Sequence, residues 1–90
     1  MKPYVVFVYA DWCGHCQRTK PIVWELGQRL GNAVPVAWVD AEAQKDLADA
    51  FGVKSFPYIA YVTSAGPVPF QGERTLEGLT DFVLAQSSKF

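Results

Sequence analysis

Two cysteines stand three apart in Trp12-Cys13-Gly14-His15-Cys16. The apolar run from Tyr4 to Tyr9 leads into them, which reads as a strand feeding a helix N-terminus. Side chains at i and i+3 share one face of a first helical turn. Two thiols there can close a disulfide with little backbone movement. The first thiol also faces unpaired N–H groups and the positive end of the helix dipole. Both favour the thiolate, which is the nucleophile of thiol–disulfide exchange. Cys13 is therefore the expected attacking thiol, and Cys16, a turn deeper, the thiol that resolves a mixed disulfide. A purely structural disulfide fits less well, because closing so short a loop removes little chain entropy. A zinc site also fits poorly. The single histidine lies between the thiols, and three ligands crowded on one turn rarely close a tetrahedron. His15 is the expected tuning residue. An imidazolium beside Cys13 would stabilise the thiolate and make the disulfide a stronger oxidant.

The elements that must position this pair follow from the apolar pattern. Residues 4–9 are continuously apolar, as in a strand buried on both faces. A helix should run over 13–30, with Ile22, Val23, Leu26 and Leu30 at helical spacing, a kink at Pro21 and an end at Gly31-Asn32. Residues 34–39 read as a second buried strand, and 42–51 as a short helix with Leu47, Ala48 and Phe51 on one face. A third strand is expected over 58–62. Ser64-Ala65-Gly66 is a turn, and 67–70 reads as an edge strand because its two prolines remove ladder donors. The last helix should cover about 75–86, capped near Arg74 or Thr75, with Leu76, Leu79, Phe82 and Val83 buried.

Bulk properties narrow the class. Ninety residues make one domain, 1–90, and an apolar half supplies a core. A net charge of −1 suggests neither nucleic acid nor an acidic membrane surface as partner. No apolar run is long enough to span a bilayer. No signal-peptide pattern follows Met1, and Gln86-Ser87-Ser88-Lys89-Phe90 holds no retention tetrapeptide. The expectation is a cytoplasmic protein.

The order β-α-β-α-β-β-α around Trp-Cys-Gly-His-Cys resembles the thioredoxin fold, and most of all the catalytic domain of protein disulfide isomerases. The matching segments are Phe7 to Cys16, Pro21, Val39-Asp40-Ala41, Phe51 to Pro57 and Gly72 to Gly78. The resemblance implies an α/β fold that lacks the family's leading strand and helix. Four strands would form a mixed sheet flanked by three helices. The strand at 34–39 then becomes an exposed edge that must be protected or used. The resemblance also implies a cis bond between Phe56 and Pro57. Pro57 would offer no N–H to block an incoming chain, and the Phe56 backbone could pair with a substrate strand. Trp12, Phe56 and Tyr58 would form an apolar substrate-binding rim. Arg74 matches an arginine that the family uses to lower the second cysteine's pKa.

Two positions depart from that family. It places a buried carboxylate six residues before the first cysteine, where this chain has Phe7, and a lysine near Val36 or Trp38. Losing both is coherent, since either alone would be a buried unpaired charge. The usual proton acceptor for Cys16 goes with them. Tyr58 stands where threonine is commoner.

The reading is a dithiol–disulfide oxidoreductase without metal, flavin or nucleotide. Its expected partners are protein disulfides or dithiols, with a reductase or glutathione as electron source. The net direction stays open, and a monomer is expected rather than a dimer. A glutaredoxin-like, glutathione-using reductase is an alternative, although Gly72-Glu73-Arg74-Thr75 stands where its Gly-Gly-x-Asp would be. A non-catalytic binding module on the same fold is another.

Overall fold

A computed structural model describes residues 2–88 of the chain. The elements are β1 (Tyr4–Tyr9), α1 (Gly14–Leu30), β2 (Val36–Asp40), α2 (Lys45–Ala50), β3 (Tyr58–Thr63), β4 (Gly66–Pro69) and α3 (Leu76–Ser87). They form the expected β-α-β-α-β-β-α order. The sheet runs β2-β1-β3-β4, with β1 and β2 parallel and the other neighbours antiparallel. The terminal residues Met1, Lys89 and Phe90 lie outside the described residues, and with them part of the C-terminal pentapeptide.

β1 is central and sorts its side chains by strand alternation. Val5 and Phe7 join Val23 and Leu26 of α1 and Leu79 and Val83 of α3 in one core. Val6 and Val8 join Val39, Ala48 of α2, Ala60 and Val62 on the other face. Both faces of β1 are therefore covered, which explains its unbroken apolar run. The site-bearing turn follows directly from this rigid strand.

α1 runs without interruption through Pro21. It stops at Gly31, whose φ of 55° lies in the left-handed region open to glycine and whose N–H donates to the Gly27 carbonyl at 3.0 Å. Thr75 caps α3, its Oγ1 accepting the Gly78 N–H at 3.0 Å. β4 is an edge strand, as its prolines require.

Three expectations need correction. The strand expected to be buried at 34–39 begins at Val36, and Ala37 and Trp38 are exposed. β2 is the outer strand, so only part of its surface meets the core. The helix expected at 42–51 is shorter. Asp40 Oδ1 accepts the N–H groups of Glu42 and Ala43, at 2.9 and 3.3 Å, and its carbonyl accepts that of Gln44. That turn occupies the backbone until Lys45. Leu47, assigned to the buried face of this helix, is exposed, while Ala48 is buried.

Candidate active site

Cys13 is the N-cap of α1 and not its first helical residue. Its backbone is extended, so its side chain turns back over the helix end, as a capping side chain does. Sγ accepts the Cys16 N–H at 3.2 Å. Sulfur thus occupies the place where serine or aspartate caps other helices, facing the open N–H groups and the dipole. The Cys13 N–H donates to the Ala10 carbonyl at 3.1 Å, which ties the thiol to the end of β1. Cys13, Cys16 and Ala10 form a small buried cluster, with Tyr9 and Phe56 packed against it. Both thiols are free.

Their environments push the two thiols apart. For Cys13, burial is the largest effect and opposes ionisation. Hydrogen bonding with the Cys16 thiol and with the backbone of Cys16 and His15, and the charge of Arg74, together outweigh it, so its pKa falls. Cys16 is fully buried. Burial first, then its hydrogen bond to the Cys13 thiol, push it up to about 11, against an easing backbone bond with Ala10 and the charge of Lys20. The Cys13 thiol therefore ionises more readily, while its neighbour keeps the proton.

The other expected residues divide. The rings of Trp12 and Phe56 meet edge to face at 5.7 Å, beside the thiols. The Phe56–Pro57 bond is cis. Tyr58 opens β3 and packs on the α2 side of the sheet, its ring 6.4 Å from that of Phe51. Burial raises its phenol pKa. Arg74 is exposed, and its charge favours the Cys13 thiolate rather than that of Cys16, where the resemblance had placed its effect; Lys20 is the charge that eases Cys16. His15 is exposed, with Nδ1 2.8 Å from an Arg18 guanidinium nitrogen. Guanidinium only donates, so the His15 ring nitrogen is the acceptor in this contact.

Where the family has a buried acid, Phe7 stands fully buried. Its ring meets Trp38 edge to face at 5.0 Å and stacks on Tyr9 at 5.4 Å. Thr19 and Thr63 are the buried polar side chains among the described residues, so the described core holds no carboxylate.

Sequence reasoning missed Lys20 and Arg18. Lys20 lies one turn beyond Cys16, its Nζ 4.5 Å from the Tyr9 ring centroid and 3.2 Å from Asp11 Oδ1. Helical spacing carried both signals: Cys16 to Lys20 is i to i+4, and His15 to Arg18 is i to i+3. Among the described residues no group of three or more His, Cys, Asp or Glu side chains is placed to hold a metal ion. No described helix is long and apolar enough to cross a membrane.

The sequence pattern of the thioredoxin family matches residues 1–85. Protein disulfide-isomerase tigA of Aspergillus niger is 40% identical over 87 residues, covering 91% of this chain and 24% of the relative. Protein disulfide isomerase-like 2-3 of Oryza sativa is 39% identical over 83 residues, covering 91% and 19%. The chain thus spans less than a quarter of the length of these relatives. The J-Trx1 fragment of ERdj5 superposes with a TM-score of 0.88 at 23% identity, over 94% of this chain and 41% of that one. The zinc-bound form of human ERp44 does so with 0.85 at 25% identity, over 94% and 27%. The two curated relatives are named protein disulfide-isomerases and the human ERp44 neighbour is an endoplasmic-reticulum protein, which points against the cytoplasmic expectation and corrects it. With its fold, its paired thiols and this match over nearly its whole length, the chain belongs to the thioredoxin family, and it is similar to protein disulfide-isomerases.

Proposed function

We propose that this chain exchanges disulfides with protein substrates through Cys13 and Cys16. The Cys13 thiolate attacks one sulfur of a substrate disulfide. The substrate S–S bond breaks, a Cys13–substrate disulfide forms, and the departing sulfur takes up a proton. Cys16 then gives up its proton and attacks Cys13 Sγ. This closes the Cys13–Cys16 disulfide and releases the second substrate thiol. The substrate gains two electrons and the pair loses two; the reverse sequence oxidises a substrate dithiol.

The observation that carries this reading is the cap itself. Sγ of Cys13 accepts the N–H of Cys16, so attacking and resolving residues share one helical turn. Lys20 supplies the charge that eases ionisation of Cys16. Arg74 supports the Cys13 thiolate. Trp12, Phe56 and Pro57 form the surface on which a substrate chain lies. The relatives' name, protein disulfide-isomerase, agrees with a protein substrate.

Trapping tests the order of attack. Cys16→Ser should accumulate a covalent mixed disulfide with a disulfide-bonded peptide, seen by non-reducing mass measurement. Cys13→Ser should not. Equal trapping by both variants, or by neither, would overturn the assignment.

A further inference from the structure

A cavity of about 270 Å³ opens beside the thiols. Ala10, Trp12, Ala48, Val53 and Phe56 contribute apolar wall. Ala10 belongs to the thiol cluster itself and Phe56 packs against it, so the cavity continues the surface a substrate must occupy. Its size falls just below the roughly 300–1,000 Å³ of small-molecule pockets. It suits one long side chain entering from a peptide laid across the site.

The rim sets the sign of that side chain. Glu42, Lys45 and Asp49 line it. Lys45 Nζ and Asp49 Oδ2 are paired at 2.9 Å and cancel. Glu42 makes no ion pair among the described residues and stays exposed at the mouth. Asp40, whose carboxylate holds the turn containing Glu42, adds to the negative field. Trp12 lines the same cavity and is 69% exposed, with a ring suited to an aliphatic stem and to cation–π contact.

Resting on the proposed exchange activity, we propose that this cavity is a specificity pocket for an arginine or lysine flanking the substrate cysteine. The aliphatic stem lies along the apolar wall that Trp12 and Phe56 build together, and the cationic head faces Glu42. Acidic side chains are turned away by the same carboxylate. The preference therefore comes from one charge on apolar walls, and it weakens as salt screens the rim.

The test uses short peptides whose single cysteine is capped as a mixed disulfide with 2-mercaptoethanol. The residue beside the cysteine is arginine, leucine or glutamate, in series on either side. Second-order rate constants for reduction by the reduced protein are compared as ratios. In at least one series arginine should exceed glutamate by on the order of threefold to tenfold. Glu42→Gln should shrink that ratio, and Glu42→Lys should bring it to one or below. Asp81→Lys, the same charge reversal on α3, should leave the ratio in place. Equal rates for the three peptides in both series, or a ratio that survives Glu42→Lys, would overturn the pocket while leaving the exchange activity standing. If no peptide were reduced, the exchange reading would fall and the pocket with it.

Discussion

Phe7 and Trp38 face each other edge to face, their ring centroids 5.0 Å apart, across the parallel β1–β2 pair in which they are register partners. The space that the family resemblance fills with an ion pair is filled here with two aromatic rings. Phe7 is buried completely, so this is core and not a vestige of a polar site.

Restoring the acid alone should therefore harm the protein. Phe7→Glu removes a packed ring and buries an unpaired carboxylate, at an expected cost of about 3–5 kcal/mol in urea unfolding. It should not speed resolution of the mixed disulfide. Adding Trp38→Lys should recover about 1 kcal/mol or more relative to additivity, as coupled neighbours do. If Phe7→Glu alone accelerated resolution, the matched loss of acid and base would not explain the site.

The two thiols should titrate separately. Alkylation of Cys13 should show a midpoint below the ordinary 9.0, while Cys16 reacts only toward about 11. A raised folded-state pKa contributes stability that is complete below the unfolded value and is lost as pH rises through the folded one. Between pH 9 and about 11 the reduced protein should therefore lose roughly 3 kcal/mol through Cys16. Cys16→Ala should remove its share of that slope and leave the share of Tyr58, whose phenol pKa burial also raises. The contribution of Cys13 runs the other way, present above 9.0 and lost as pH falls through its lowered value.

Arg74 is exposed, so its effect should be real but small. Arg74→Gln should raise the midpoint for Cys13 alkylation slightly, since the guanidinium is the smallest of the effects that lower it. Salt should weaken the wild-type effect in the same direction. No change in the midpoint would mean that hydrogen bonds alone hold the thiolate.

Gly78 in α3 offers a test against simple helix propensity. Replacing glycine by alanine inside a helix ordinarily gains about 1 kcal/mol. Here an added Cβ would meet the Glu73 carbonyl oxygen at 2.9 Å and Thr75 Oγ1, the capping atom, at 3.0 Å. Gly78→Ala should destabilise the domain in urea unfolding. A gain would show that the cap relaxes freely.

Much of this was legible before any coordinates. The spacing of Cys13 and Cys16 placed both at the start of α1, and the apolar run of β1 announced a central strand. Phe56–Pro57 was readable only through resemblance. Read from its apolar pattern alone, the run at 34–39 misled, because apolar residues on an edge strand look like buried ones; the family resemblance did put this strand at an edge, where β2 lies. Leu47 misled for a related reason, since α2 is too short to hide a whole face. The pocket at Glu42 was not legible at all. Its walls come from three stretches, 10–12, 41–49 and 53–56, that only the fold brings together.

The proposed exchange requires that Cys13 and Cys16 form one reversible dithiol–disulfide couple. Its most direct measure is the reduction potential in graded glutathione buffers, with free thiols counted by alkylation and mass. The account predicts a single two-electron transition between about −270 mV, as in thioredoxin, and about −180 mV, as in protein disulfide isomerase. Two thiols that stay free across that whole range, or a Cys13 that only accumulates glutathione, would contradict it.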